Sequence, residues 1–126
     1  MTSSVEKMID QYILAWNQTR LENYSLAFEK CWGNNALYSD QYSEHTGVQG
    51  IADFADQSLK FAPDRKFSVL EIPECHHTYG RYAWKVETGG KTNVGYDYFE
   101  FNAEFKITKL ISFFTLPEDY PIHKLG

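Results

Sequence analysis

The segment VGYDYFEFN, residues 94–102, is typical of a β-strand because aromatic side chains dominate it. Successive side chains of a strand point to opposite faces, so Asp97 shares a face with Phe99 and Phe101. If this face lies inside the protein, Asp97 must be hydrogen-bonded, paired with a cation or protonated, since burying an unpartnered carboxylate is costly. If both faces of the strand are partly exposed to solvent, Asp97 points into solvent at a sheet edge.

The rest of the chain divides into predicted helices before Pro63 and predicted strands after it. Apolar residues three or four apart predict helices over about 5–16, 21–32 and 48–61, with a short extended stretch over 36–42. The further strands are KFSVLEIPE (66–74), GRYAWKVET (80–88) and FKITKLISFF (105–114). This order predicts an α+β domain in which three N-terminal helices pack on a strongly curved, mostly antiparallel sheet and enclose a pocket.

Length, composition and charge narrow the function classes. The 126 residues predict a single domain, and the 17% of aromatic residues suit either an apolar ligand cavity or a packed core. A net charge of −5 argues against nucleic-acid and anionic-membrane binding. The N-terminal sequence MTSSVEKMID has neither a basic leader nor a long apolar run, which predicts a cytoplasmic protein. Cys31 and Cys75 are interpreted as reduced packing residues.

Three polar side chains occur on apolar stripes. Tyr12 lies on the apolar face of the first helix, Asp40 lies in ALYSDQY, and Asp97 lies in the strand described above. Two carboxylates and a phenol in apolar surroundings could supply a base and hydrogen-bond donors to a developing oxyanion. Each also has an ordinary structural interpretation: a buried tyrosine, an acid at a strand end and an acid at a sheet edge.

The spacing of other polar residues favours neither metal chemistry nor phosphate binding. His76 and His77 are adjacent on a predicted strand and should point to opposite faces, so no metal site is predicted. Arg81, three residues before Trp84, is expected at the surface or in an ion pair, with an anion-holding role at the pocket mouth as the second interpretation.

Six short motifs carry a resemblance to a known superfamily. They are QYILAWN (11–17), ALYSD (36–40), TGVQGIADF (46–54), GRYAW (80–84), GYDYFEFN (95–102) and KITKLISFF (106–114). In this order they resemble the nuclear transport factor 2-like (NTF2-like) superfamily of the SnoaL-like kind, which has a cystatin-like fold. This superfamily includes polyketide cyclases, scytalone dehydratase, limonene epoxide hydrolase and ketosteroid isomerase.

The resemblance implies site residues and roles. By similarity to ketosteroid isomerase, Asp40 would be the general base, while Tyr12 and a protonated Asp97 would donate hydrogen bonds to the oxyanion. In the family the base is commonly followed by proline, whereas here Gln41 follows Asp40. The aromatic residues expected to line the pocket are Trp16, Phe54, Trp84, Phe99 and Phe114.

The expected function is that of a small cofactor-free enzyme that isomerises or cyclises a small apolar carbonyl compound through an enolate. A homodimer formed through the exposed sheet face is also implied. Two alternatives stay open: a non-catalytic domain that binds a ligand or dimerises, and an epoxide hydrolase or dehydratase for which Arg81 with Asp97 is a loose match.

Overall fold

The computed structural model describes residues 4–114 and contains three helices. They are α1 Ser4–Trp16, α2 Leu21–Glu29 and α3 Gly47–Phe61. In each helix most of the apolar residues three or four apart are buried, as the sequence predicts, although Leu21 at the start of α2 is exposed. None of the helices described is long and apolar enough to cross a membrane.

One mixed sheet is built from seven strands within the described residues. These are β1 Trp32–Ser39, β2 Glu44–Thr46, β3 Lys66–Val69, β4 Glu74–His76, β5 Tyr79–Thr88, β6 Lys91–Phe101 and β7 Ile107–Phe113. The strand order is β2-β1-β7-β6-β5-β3, with β4 pairing to β5, and only β1 and β7 among these pairs run parallel. The predicted α+β fold, with three helices on a curved and mostly antiparallel sheet, is confirmed.

Two boundaries predicted from the sequence are wrong. Helix α2 ends at Glu29 rather than at Trp32, because the Cys31 carbonyl accepts a hydrogen bond from the Ile107 amide (2.8 Å) and pairing with β7 then begins at Trp32. Within KFSVLEIPE only Lys66–Val69 forms a strand, β3, and a separate strand, β4, begins at the last residue of the segment, Glu74; the two strands pair with different parts of β5. Strand pairing therefore overrides the local pattern at both places.

Strand β6 separates the core from the outer face of the sheet. Phe99 is fully buried and Asp97 is 4% exposed, whereas Val94 and Tyr96 on the opposite face are exposed. Gly95 also faces inward, because a Cβ atom there would lie 2.2 Å from the Trp84 ring. The face that carries Asp97 is thus the interior one.

Candidate functional site

Asp97 lies at the centre of a buried hydrogen-bond network. The Tyr82 hydroxyl donates to Asp97 Oδ2 (2.5 Å) and the Trp84 indole Nε1 donates to Asp97 Oδ1 (2.8 Å). The Ser112 hydroxyl is a further hydrogen-bond partner. Tyr82 and Ser112 are the cross-strand neighbours of Asp97 on β5 and β7, so the sheet register itself assembles these contacts.

Burial changes the acidity of this carboxyl group. Desolvation raises the pKa of Asp97 to about 6, and the hydrogen bonds from Ser112, Tyr82 and Trp84 oppose that rise. A group with this pKa is roughly nine-tenths ionised at pH 7. Asp97 is therefore mainly a hydrogen-bonded carboxylate at neutral pH, with a pKa well placed for accepting a proton.

A cavity between the helices and the sheet opens onto this network. Its volume is about 90 Å³, compared with roughly 300–1,000 Å³ for typical small-molecule pockets. The lining residues are Tyr12, Ile13, Trp16, Tyr38, Phe54, Ser58, Ala62, Arg65, Phe67, Trp84, Val86, Thr88, Asn93, Asp97, Ser112 and Phe114. A ligand of this cavity, as it stands, is small and mostly apolar.

Four of the five aromatic residues expected around the pocket line this cavity: Trp16, Phe54, Trp84 and Phe114. Phe99 does not. Its ring is fully buried in the core, 6.0 Å from the rings of both Tyr82 and Phe101. Although Phe99 shares a strand face with Asp97, it lies two residues further along β6 and packs beneath the network.

Tyr12 reaches the same cavity from helix α1. Its ring stacks on Trp32 at a centroid distance of 5.7 Å and meets the Trp16 ring edge-on at 6.5 Å. Burial and the nearby Asp97 raise the pKa of Tyr12 well above its ordinary value. Tyr12 therefore keeps its proton at neutral pH and can serve as a hydrogen-bond donor.

Asp40 is held differently. Its carboxylate accepts hydrogen bonds from the Tyr38 hydroxyl (2.7 Å) and from the backbone amides of Tyr42 (2.7 Å) and Ser43 (2.8 Å). These bonds close the turn between β1 and β2, as aspartates in loops commonly do. The cavity-lining residues include Tyr38 but not Asp40. Tyr12 and Asp97 thus share the cavity, while Asp40 lies behind the Tyr38 hydroxyl.

Arg65 is a cavity residue that the sequence does not single out. Its Nη2 donates to the carbonyl oxygens of Trp16 (3.0 Å) and Ala55 (3.1 Å) and to the Tyr24 hydroxyl (3.1 Å). Its guanidinium carbon lies 5.7 Å from the centre of the Trp16 ring. These contacts join all three helices. A lone arginine just before a strand is normally a surface residue, so no sequence signal predicts this burial.

The other sequence candidates lie outside the cavity. Arg81 forms an exposed ion pair with Glu74 (3.3 Å) and does not meet Asp97. The prediction that His76 and His77 point apart is wrong, since their Nδ1 atoms are 2.9 Å apart. His77 lies in the turn after β4 with a φ of 56°, which breaks the alternation of a regular strand.

Cysteine and metal chemistry add little to the site. Cys31 is buried, as a packing residue should be, but Cys75 is exposed, which corrects its interpretation as a packing residue. Cys75 lies in the short strand β4, where all three residues are exposed. Within residues 4–114, no group of three or more metal-binding side chains is assembled.

Comparisons with solved structures identify the fold. A candidate isomerase of the SnoaL-like family from Agrobacterium tumefaciens matches with a TM-score of 0.83 at 23% identity, covering 91% of this chain and 100% of that protein. The chain has the NTF2-like fold. The nuclear transport factor 2-like and SnoaL-like resemblance noted in the sequence is confirmed at this level.

Two further solved structures extend the comparison. A candidate ketosteroid isomerase from Kribbella flavida has a TM-score of 0.70 at 13% identity, covering 92% of this chain and 81% of that protein. An NTF2-like protein of unknown function from Cytophaga hutchinsonii has a TM-score of 0.69 at 13% identity, covering 100% of this chain and 98% of that protein. Neither a protein-family model nor a curated protein sequence matches the chain. NTF2-like folds of this shape include candidate isomerases and proteins of unknown function.

Proposed function

We propose that this protein is a cofactor-free enzyme that transfers a proton within a small, mostly apolar carbonyl compound. The observation that carries the proposal is Asp97, a buried carboxyl group with a pKa of about 6 that lines an apolar cavity together with Tyr12. The small volume of that cavity, about 90 Å³, favours a substrate with one ring or fewer.

In this reaction the ionised Asp97 accepts a proton from the carbon next to the carbonyl group. The C–H bonding pair moves into the C–C bond and the carbonyl π pair moves onto oxygen, which gives an enolate. Tyr12, which keeps its proton because its pKa is raised, donates a hydrogen bond to that oxygen. In a substrate with a β,γ double bond this enolate is a dienolate, and return of the proton from Asp97 to its γ carbon completes an isomerisation and restores the carboxylate.

The assignment of the base to Asp97 departs from the role that the family resemblance gives to Asp40. The amide bonds from Tyr42 and Ser43 commit the Asp40 carboxylate to a turn, the Tyr38 hydroxyl takes a further position on it, and Asp40 is absent from the cavity lining. Asp97 also accepts three hydrogen bonds, but a carboxylate has about four acceptor positions, which leaves one for a substrate proton. As a carboxylate at neutral pH, it is better suited to accept a proton than to donate one.

The test is hydrogen–deuterium exchange at the α carbon of a small cyclic ketone, such as cyclopentanone, followed by NMR in D₂O. We expect Asp97→Asn to slow the protein-catalysed exchange by roughly 10²–10⁴-fold. Asp40→Asn is the matched control and should stay within a few-fold of the wild type. Loss of exchange in Asp40→Asn with retention in Asp97→Asn would assign the base to Asp40 instead.

A second candidate function is ligand binding without turnover. It is favoured by the three bonds that Asp97 already accepts from Tyr82, Trp84 and Ser112, which leave little of the carboxylate for a substrate. A protein of this kind would bind phenol with similar affinity in the wild type and in Asp97→Asn, and neither would exchange the ketone protons. Hydrolysis by an arginine and acid pair gains no support, since Arg81 pairs with Glu74 at the surface.

A second copy of the chain is the partner that we propose for the outer sheet face. Tyr96 and Phe113 are exposed cross-strand neighbours there, and Val94 lies on the same face of β6. Tyr96→Glu should convert the dimer to a monomer in light scattering. Leu26→Glu, at an equally exposed position on α2 (61% for both residues), should not. A monomeric wild type would refute the proposed dimer.

The cytoplasmic location stays a prediction from the sequence.

A further inference from the structure

Gln41 is joined to the main chain of Phe114 by both ends of its side-chain amide. The Nε2 group donates to the Phe114 carbonyl oxygen, and Oε1 accepts from the Phe114 amide (3.1 Å). Strands β1 and β7 run parallel, and their last paired residues are Ser39 and Ile111. The Gln41 side chain therefore supplies a partner for the backbone of Phe114 beyond the point where β1 has turned away.

Phe114 in turn forms part of the cavity wall. Its ring centre lies 5.6 Å from the rings of Trp84 and Tyr42. Trp84 also lines the cavity and donates its indole N–H to Asp97. A backbone shift at Phe114 would thus move the aromatic wall that stands next to the buried carboxyl group.

The two bonds fix position more strictly than one bond would. A single hydrogen bond lets the acceptor chain pivot, whereas a donor and an acceptor on one planar amide set both the distance and the direction of the Phe114 peptide groups. The Gln41 amide therefore fixes the main chain that carries this part of the cavity wall.

We propose that Gln41 is a positioning residue that sets the size of ligand admitted to the cavity, acting through Phe114. This inference rests on the proposed function only in so far as both concern the same cavity. With the amide in place, Phe114 stays against Trp84 and the cavity keeps its volume of about 90 Å³. Without it, the end of β7 is released from the β1–β2 turn and the cavity can take larger ring systems.

The binding test uses phenol, 2-naphthol and 9-phenanthrol as probes of increasing size. Gln41→Ala and Phe114→Ala should each raise the affinity for 9-phenanthrol relative to phenol by roughly tenfold or more. The double variant should match Phe114→Ala, because a residue that acts only through Phe114 has no effect once that ring is gone. Gln18→Ala, at a half-buried glutamine whose side-chain amide donates to the nearby Leu14 carbonyl oxygen, should behave as the wild type.

Additive effects in the double variant, or an unchanged size preference in Gln41→Ala, would overturn the inference. A second measurement does not depend on ligand binding: amide hydrogen exchange at Phe114 should be slow in the wild type and in Gln18→Ala, and fast in Gln41→Ala. Equal exchange in all three proteins would overturn the inference even if no probe binds. If the exchange result holds but phenol does not bind, the proposed function fails and the positioning role of Gln41 does not.

Discussion

Acidification from about pH 8 to about pH 5 should stabilise the wild-type protein relative to Asp97→Asn by roughly 1–2 kcal/mol of unfolding free energy. The perturbation is the removal of one titrating group, because asparagine keeps the shape of the side chain and stays neutral. Any constant cost of the substitution, such as a poorer hydrogen bond to Tyr82 or Trp84, appears at both pH values and does not affect this difference.

The magnitude follows from the pKa of Asp97. Burial raises this pKa from 3.8 in the absence of the fold to about 6 in the folded protein. The folded state therefore binds the proton more tightly than the unfolded state, so it gains stability as pH falls through 6 and the gain is complete below 3.8. The difference between 3.8 and about 6 corresponds to about 3 kcal/mol in full, of which slightly less than half is gained by about pH 5.

Urea denaturation of both proteins at the two pH values measures this difference. His45 also titrates in this range, and because burial lowers its pKa, its protonation destabilises the folded state as pH falls. That contribution is present in both proteins and cancels. A pH-independent difference would show that the pKa of Asp97 is not raised, and a difference of opposite sign would show that the hydrogen bonds outweigh desolvation.

Three further predictions concern stability. Gly95→Ala should lower the unfolding free energy by roughly 1–3 kcal/mol or more, since the new Cβ would lie 2.2 Å from the Trp84 ring; a thermal melt equal to that of the wild type would contradict this close approach. Asn17→Ala should cost about 1–3 kcal/mol in urea denaturation, because the Asn17 amide bonds both the N–H (2.8 Å) and the carbonyl (2.9 Å) of Phe67. Asn17→Asp keeps the acceptor oxygen but loses the amide donor, so its free energy of unfolding should lie between those of the wild type and Asn17→Ala. His77→Gly should stabilise by roughly 0.5–1 kcal/mol, because His77 has a φ of 56° that glycine adopts without strain; a loss of stability would instead assign that energy to the His77 side-chain contacts.

The residues that share a face with Asp97 could be predicted from the sequence because a strand has a strict period of two, whereas the choice between an interior and a solvent-facing position stayed open. Once Phe99 and Phe101 are assigned to one face, Asp97 must share it. The helix stripes are predictable for the same kind of reason, since three- and four-residue spacings determine which face is buried. The partners of Asp97 are different, because Tyr82 and Ser112 meet it only through the register of three strands.

The errors arise where tertiary pairing overrides a local pattern. Residues following α2 continue its apolar spacing as far as Trp32, yet that residue pairs with Ile107, which is 75 positions away in the chain. No local rule contains that information. The alternation rule likewise fails at His77, because a positive φ in the turn after β4 ends the regular strand.

The residues of the candidate site likewise divide into those that the sequence pattern identifies and those that only the assembled fold brings into place. Tyr12 and Asp97 are found from periodicity, because each stands out as a polar group on an apolar face. The turn that occupies Asp40 depends on the exact backbone path after β1, and the burial of Arg65 depends on three helices meeting around one side chain. The Asp40 turn and the burial of Arg65 arise only in the assembled fold, so the local sequence does not predict them.

The most direct test of the account is the pH dependence of α-proton exchange of cyclopentanone by the wild type and by Asp97→Asn. We expect the wild-type rate constant to rise through a single ionisation near pH 6, the pKa of about 6 assigned to Asp97, because only the carboxylate can accept the proton. The variant should be slow and show no such rise. The same profile in Asp97→Asn, or a wild-type midpoint near the ordinary 3.8 of an aspartic acid, would contradict the assignment of Asp97 as the base.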